Sequence, residues 1–539
     1  MTELPDLERL FDEFQLPPQD LKKLSFCGHK PRQLQNWLTS LPVTKTKDII
    51  VVLYKLLPEL NHLDVNGSQR LELLGLVRPI TNQSINNLAD EFLKHPLCLT
   101  ESLMKMATIA QALQRHLCNG YLLCIRQLLN NGSLSSAHKK ELELALYYAI
   151  HGLGQLLYRS YQLYIPRPPM LWQKLNLLYQ LAKAQGCERR PIADSLLETR
   201  KGLSSEQAYT RSITLACSNT NQLRPVDTLH LFRGLEQWCS MVKLSPAQSD
   251  QQTVYWIDTA SDDGPMYKSR FEKPTQSTLA INLKHLTDLI HTHRSHDDNS
   301  KISEIPLSFR QSLFVHLANC WQNKHERKYS REATSTELEV CIGLKAAHQQ
   351  LLGNTSFNDF LQQDSSEEIH MDFTANMAAP ATYSSAPAEE GQTSIALATD
   401  SSDGGYCLRW SKDVPKKIKT GEVILLRKPG ETHWRAGTIR WSQRLNRNTY
   451  IGIQVLAEYA EASAASAKLD NGLTTPFFRT VLLKDSPSGE GIGLLTPTIP
   501  FAPRQNIELQ LEQHSHQAQL VQLLLSSGII SHYSYRNTQ

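Results

Sequence analysis

The feature that most limits what this chain can fold into is a change of hydrophobic period part-way along it. Up to about residue 245 apolar residues recur every three or four positions, and from about residue 394 they recur every two. The first spacing lays one stripe along a helix, and the second lays one face along a strand. A chain that carries both in separate blocks is expected to be an α+β multidomain protein, helices first and antiparallel β-structure after. In LTESLMKMATIAQALQRHL the stripe is Leu99, Leu103, Met106, Ile109, Leu113 and Leu117; after the Gly132-Ser133 break it is Leu142, Ala145, Ala149, Leu153 and Leu156. Prolines 166, 168 and 169 stop that helix, and LWQKLNLLYQLAKAQG begins the next, with Gly186 placed as its C-terminal stop. Two more helices are expected near 205–217 and 224–242. Helical hairpins joined by short breaks make a bundle of residues 1–245. Trp172, Leu175 and Tyr179 have the spacing of a tetratricopeptide first helix, with Asn176 where that motif has glycine, but no 34-residue repeat follows.

Residues 246–323 read as a mixed connecting region. QTVYWIDTA is strand-like, SDDGP is a turn, and a helix near 307–323 buries Leu313, Phe314, Leu317, Cys320 and Trp321. In the region 324–460, SIALATD, GGYCLRW, GEVILLRK, HWRAGTIRW and TYIGIQVL are short strands parted by turn residues, the spacing of a small antiparallel barrel. Trp410, Trp434 and Trp441 are expected in its core. The segment 353–393 inside it is acidic and rich in Ala, Ser and Pro, with too little periodicity to bury itself, and is expected to be a disordered insertion. FFRTVLLKD, EGIGLLTP, NIELQLE and AQLVQLLLSS make 461–539 a further β-rich unit.

Two short patterns bracket the acidic insertion. HERKYSRE holds Arg327-x-x-x-Arg331 before the strand-like TELEVCIGL, and TDSSDGGY holds Asp400-x-Ser402-x-x-Gly405 between two strands. RxxxR, a strand, DxSxxG and a series of short strands together resemble the PilZ domain, the bacterial receptor module for cyclic di-GMP, over about 320–460. A guanidinium fits phosphate oxygens or the guanine O6/N7 edge as a two-pronged donor. A carboxylate accepts from the guanine N1–H and N2–H₂ groups, and a serine hydroxyl is a short adaptable partner. The resemblance implies that Arg327 and Arg331 clamp phosphates and guanine, and that Asp400 and Ser402 read a guanine from the barrel surface; Gly405 fits a tight turn where the ligand approaches backbone, or a position that needs a positive φ. Arg409, Lys412, Lys416, Lys417, Lys419, Arg427, Lys428, Arg435, Arg440, Arg444 and Arg447 are expected to give the barrel a cationic side. The acidic stretch 359–372 is a candidate cover for that side when no ligand is bound.

Other patterns look catalytic in isolation. His291, His293 and His296 resemble the HxHxDH of metallo-β-lactamase-like hydrolases, but Ser295 stands where that family has Asp, so a solvated loop is expected and no metal site. Ser102-x-x-Lys105 and Lys419-Thr420-Gly421 mimic pieces of the penicillin-recognising serine enzymes without a fitting middle motif. No Walker loop, GxGxxG or GxSxG is found, and no enzyme is expected. Lys plus Arg exceed Asp plus Glu by 56 − 53 = 3, which does not advertise a nucleic-acid or membrane surface. Ten cysteines without a C-x-x-C pair read as reduced core thiols. The acidic opening MTELPDLERLFDEF lacks the basic and apolar regions of a secretory signal, and no uninterrupted apolar run is long enough to span a bilayer. The expected location is the cytoplasm. The expected function is a bacterial cyclic di-GMP-binding effector or adaptor, with no other cofactor, that couples the ligand to a protein partner of the helical region. The alternative is a scaffold whose degenerate barrel binds no nucleotide.

Overall fold

A computed structural model describes residues 11–538 apart from 43–45, 94–100, 131–134, 199–201, 250–252, 296–308, 310, 323–330, 354, 362–392, 412–413, 416–417, 446–447, 470–471, 487–491, 513 and 528. Contacts divide the chain into two units, which part near residue 325.

The first unit is the helical bundle with a small sheet. Its long helices are Thr46–His62, Gly67–Leu93, Glu101–Leu129 and Ser136–Gln162, followed by Leu171–Ala184, Ser205–Ala216 and Pro225–Trp238. Of the expected stripes, Leu113, Leu117, Leu142, Ala145, Ala149, Leu153 and Leu156 are almost fully enclosed, whereas Leu103, Met106 and Ile109 are only partly buried, Ala107 and Ala110 being the enclosed residues there, and Leu99 lies outside the described residues. Residues 246–323 are not a separate connector, because contacts place them in this same unit. Strands β1 (Lys243–Pro246), β2 (Tyr255–Asp258), β3 (Met266–Tyr267) and β4 (Thr278–Asn282) form a sheet in the order β1-β4-β2-β3. The turn after β2 is bound to the helices by Asp262, which accepts from the backbone N–H of Met170, Trp172 and Gln173 and from Arg167. It caps the Leu171–Ala184 helix from about ninety residues away. Asn176, the departure from the tetratricopeptide spacing, is buried and donates to Ser261 O while accepting from Tyr209 Oη. That amide fastens the sheet to the bundle. Helix Gln311–Gln322 buries the expected face, Leu313, Phe314, Leu317, Cys320 and Trp321.

The second unit holds two closed antiparallel barrels. The first has the order β10-β7-β6-β5-β8-β9, with β5 (Glu332–Ile342), β6 (Ser394–Ser402), β7 (Gly405–Trp410), β8 (Val423–Arg427), β9 (Arg435–Leu445) and β10 (Asn448–Ala457). The second has the order β11-β12-β13-β16-β15-β14, with β11 (Tyr459–Ala467), β12 (Phe478–Lys484), β13 (Gly493–Pro497), β14 (Asn506–Gln510), β15 (Ser515–Ser526) and β16 (Ile530–Asn537). It therefore starts at Tyr459, two residues before the expected boundary.

Each barrel fills its own interior, and the two share a third core between them. Leu338, Val340, Ile424, Leu426, Ile439 and Ile451 lie inside the first barrel, and Leu482, Leu494, Leu509 and Leu520 inside the second. Cys341, Val423, Leu425, Val481, Leu483 and Ile530 point the other way, into a seam where helix Leu344–Leu352 is packed. This explains the unbroken apolar run of β8: both of its faces are buried. Trp410 and Trp434 are buried as expected, whereas Trp441 is only half-buried and lies across Gly452, where a Cβ would come within 1.9 Å of the indole Nε1. The low-periodicity insertion begins later than residue 353, since Phe357–Leu361 is a short helix whose Phe360 is buried; residues 362–392 lie outside the described residues.

The seam carries a titratable group. His348 on the Leu344–Leu352 helix is fully buried, and its Nε2–H donates to Ser463 O at 2.9 Å. Burial pushes its pKa down to about 4, the bond to Ser463 opposing and nearby Arg479 assisting. The unfolded chain then binds a proton near the ordinary histidine pKa of about 6.5 while the folded chain stays neutral. Stability is full above about 6.5 and falls with pH down to about 4, by at most about 1.4 kcal/mol per pH unit. Amide exchange across 344–352, corrected for the intrinsic pH effect, is expected to quicken between pH 7 and 5. His348→Gln keeps a donor for Ser463 and should flatten that dependence; an unchanged slope would assign it to another group.

Candidate ligand site on the first barrel

The two bracketing motifs converge at one edge of the first barrel. β5 and β6 are neighbours, with Glu332 opposite Ser401 and Ala333 opposite Asp400. Arg331, the residue before β5, donates from Nη1 to Asp400 Oδ1 at 2.7 Å, across 69 residues of chain. Arg327 lies outside the described residues.

A bulge makes the site. On β6, Ala396 and Ala398 face the barrel interior, so strict alternation would turn Asp400 inward as well. Between Ala398 and Asp400 the register with β7 slips by one, leaving Thr399 as the extra residue, and Asp400 comes to stand opposite Cys407 instead of an interior position. Alternation resumes from there: Ser401 stands opposite Tyr406, which packs on the interior core, and Ser402 returns to the outer face beside Asp400. The x between Asp and Ser is what aligns their side chains. Ser402 Oγ donates to Gly405 O at 3.4 Å, a loose bond that a better acceptor can displace.

Gly405 has a different reason from a positive φ, which it does not adopt. It is buried opposite Gln454 of β10, and a Cβ on it would lie 1.9 Å from Ile453 O. Glycine lets β7 and β10 approach and so closes the barrel directly behind Asp400 and Ser402. Gly405→Ala is expected to cost about 2 kcal/mol or more, because the obstacle is backbone and cannot rotate away. A lowered melting transition of the barrel unit checks this; a neutral alanine would mean that the strands can part freely.

The electrostatics are local. Arg331 and Asp400 are each about a quarter exposed, which puts their pair in the class worth up to about 1 kcal/mol. Beneath them burial raises the Cys407 thiol pKa, with Thr399 opposing and Asp400 assisting. Cys407 and Thr399 are parts of the site that motif reading missed, because the bulge that brings them under Asp400 has no sequence signature. Part of the expected cationic side is neutralised within the barrel among the described residues. Arg427 pairs with Glu339 at 2.7 Å and stacks on Trp434, and Arg435 pairs with Glu431 and Glu458. Lys412, Lys416, Lys417 and Arg447 lie outside the described residues, as do Asp364, Glu367, Glu368 and Asp372 of the candidate cover.

The catalytic look-alikes have structural explanations. Gly421 of Lys419-Thr420-Gly421 sits at φ 86° in the turn before β8, and its carbonyl accepts from Ser527 of the second barrel. Lys105 pairs with Glu101 on one exposed helix face. His291 and His293 do not lie in the expected loop but in helix Lys284–Ser295, where His291 approaches Gln322; His296 lies outside the described residues. No group of His, Cys, Asp and Glu able to hold a metal ion occurs among the described residues, and no helix among them is long and apolar enough to cross a membrane.

Comparison with known proteins covers almost the whole chain. The family model described as the N-terminal domain of the cyclic-di-GMP receptor FimW matches residues 32–249. The model of its middle PilZ domain matches 254–395 and 384–462, and that of its C-terminal β-barrel domain matches 464–538. The cyclic-di-GMP receptor FimW of Pseudomonas aeruginosa is 29% identical over 572 residues, which covers 97% of this chain and 93% of that protein. No solved structure matches the chain.

Proposed function

This chain belongs to the FimW family of cyclic di-GMP receptors, and on that premise we propose that it binds cyclic di-GMP on the outer face of its first barrel, at Arg331, Asp400 and Ser402. The observation that carries the reading is the Arg331–Asp400 pair, which joins the last residue of RxxxR to the first of DxSxxG at 2.7 Å. In the free protein each charge satisfies the other. The ligand offers both a better partner: phosphate or guanine O6/N7 for the guanidinium, and the guanine N1–H and N2–H₂ edge for the carboxylate. The pair is partly exposed, so exchanging it costs little. Ser402 leaves its loose bond to Gly405 O for a ligand oxygen or nitrogen. Arg327 closes over the ligand from the segment before β5, and Gly405 keeps the floor of the site thin.

The same exchange gives a signal a route. Arg331 leads straight into β5, and β5 runs into the Leu344–Leu352 helix at the seam between the barrels. A ligand that repositions the start of β5 acts on a strand whose far end is tied to both barrel cores; it shifts that equilibrium only by its differential affinity for the two states. The adaptor role, with a protein partner on the helical unit and a cytoplasmic location, is part of this proposal. It draws on Val51 and Tyr54 of helix Thr46–His62, which are about half exposed.

Isothermal titration of the full chain tests the ligand. Cyclic di-GMP should bind saturably, and cyclic di-AMP should not, because adenine lacks the N1–H and N2–H₂ donors that Asp400 needs. A protein silent to cyclic di-GMP overturns the reading in favour of the scaffold.

A further inference from the structure

The helical unit contains a cleft that the dinucleotide reading does not use. It has a volume of ≈ 90 Å³ and is lined by Asn82, Gln111, Gln114, His151, Gln155 and Arg159, from helices Gly67–Leu93, Glu101–Leu129 and Ser136–Gln162. A water's share of liquid volume is about 30 Å³, so a phosphate-sized group fits.

Three observations define what it would hold. The first is charge. Arg78 is matched by Asp194 through two hydrogen bonds, and Arg211 by Glu236. Arg159 is as deeply buried, at 6% exposed, yet its hydrogen bond goes to the neutral Gln162 Oε1, and its faces lie against Phe92 and Tyr158. The carboxylate whose field reaches it is that of exposed Asp90. A guanidinium enclosed without a carboxylate is costly unless an anion joins it. The second is Gln111. Ser160 Oγ spends its single hydrogen on Leu156 O, so it can only accept from Gln111, which fixes the amide with Nε2 toward the serine. Gln111 Oε1 is then buried as an acceptor with no donor. The third is His151, 8% exposed, whose Nε2 also has no partner. An orphaned acceptor next to an unmatched cation asks for one molecule with both a negative charge and an O–H.

We propose that this cleft binds a small hydroxylated oxyanion, with Arg159 taking the charge and Gln111 Oε1 accepting from the ligand hydroxyl. Hydrogenphosphate and α-hydroxycarboxylates share that chemistry.

The full chain, in chloride buffer at constant ionic strength, is assayed by equilibrium dialysis and thermal shift against phosphate, sulfate, glycolate and acetate. Phosphate should bind saturably and sulfate, which has no O–H at neutral pH, at least about tenfold more weakly, the worth of one hydrogen bond of about 1.4 kcal/mol. Glycolate binding over acetate, without phosphate, supports the same site with a carboxylate as its source. Gln111→Leu should erase the discrimination. Arg159→Lys should weaken binding, and Gln155→Leu, at a half-buried position of the lining, tests the site should the arginine variant fold poorly. Equal binding of phosphate and sulfate, or retention of none of the four at millimolar concentration, overturns the proposal and leaves the cleft to water.

Discussion

Arg331→Ala is expected to weaken cyclic di-GMP binding by about 2–4 kcal/mol, roughly thirty- to a thousandfold, because it removes a charge-assisted contact to the ligand and leaves that ligand charge without a partner. The free protein should hardly notice. The Arg331–Asp400 pair is about a quarter exposed on both sides, so its loss should cost folding no more than about 1 kcal/mol. Titration calorimetry beside a melting curve therefore separates binding from folding. Asp400→Ala should show a smaller loss of affinity: it deletes the guanine-edge acceptor, worth about 1–3 kcal/mol, but also frees Arg331 from its competitor in the unliganded state. An Arg331→Ala protein that binds like wild type would remove the contact on which the receptor reading rests.

The largest effect on stability is expected in the bundle, at Asp194. Its carboxylate is fully enclosed and accepts from both Arg78 terminal nitrogens, at 2.8 and 2.6 Å, from Tyr147 Oη at 3.1 Å and from Leu196 N at 3.0 Å. Asp194→Ala leaves Arg78 buried without a counter-charge, a change that costs about 3–5 kcal/mol. Far-UV circular dichroism, dominated by the helices, should show a correspondingly lower melting temperature. Arg78→Met with Asp194→Leu should recover much of the loss, since replacing both partners by apolar groups removes the stranded charge. A double variant no better than Asp194→Ala would instead make the bonds to Tyr147 and Leu196 the main contribution. Acid should act at the same place. Burial by itself would raise the Asp194 carboxyl, but the Arg78 fork outweighs it and holds the group below the usual carboxylate range. A depressed folded pKa gives stability that is complete above the unfolded value of about 3.9 and is lost as pH falls through the folded one.

Much of the fold was written locally. The stripes of the helices, the strands of the first barrel and most of the second follow from residue spacing, because one buried face demands it. Among the elements that were missed, two have identifiable reasons. β11, YAEASAASA, is poor in branched and aromatic residues, which is the usual strand signal. Its small side chains suit it to lie under the Leu344–Leu352 helix, where His348 bonds Ser463 O. That helix in turn follows a strand with only Gly343, at φ 101°, between them, and its short run LKAAHQQLL merged with the polar stretch after it. At the candidate site the motif residues were legible as chemistry but not as geometry. Gly405 was expected for its backbone freedom, yet the carbonyl of Ile453 is what demands it.

The sequence by itself determined where the period changes, hence the order of helical and β units, and which side chains carry the chemistry of the barrel edge. Tertiary structure alone decided that Asp400 faces outward, since a one-residue bulge at Thr399 reverses what alternation would impose. It also decided that both faces of β8 are buried, and that Asp262 caps a helix about ninety residues earlier in the chain. The physical reason is the same in each case. Periodicity reports the environment averaged along one element, whereas register slips, a second core and long-range caps are set by the partner that the element meets only in the folded state.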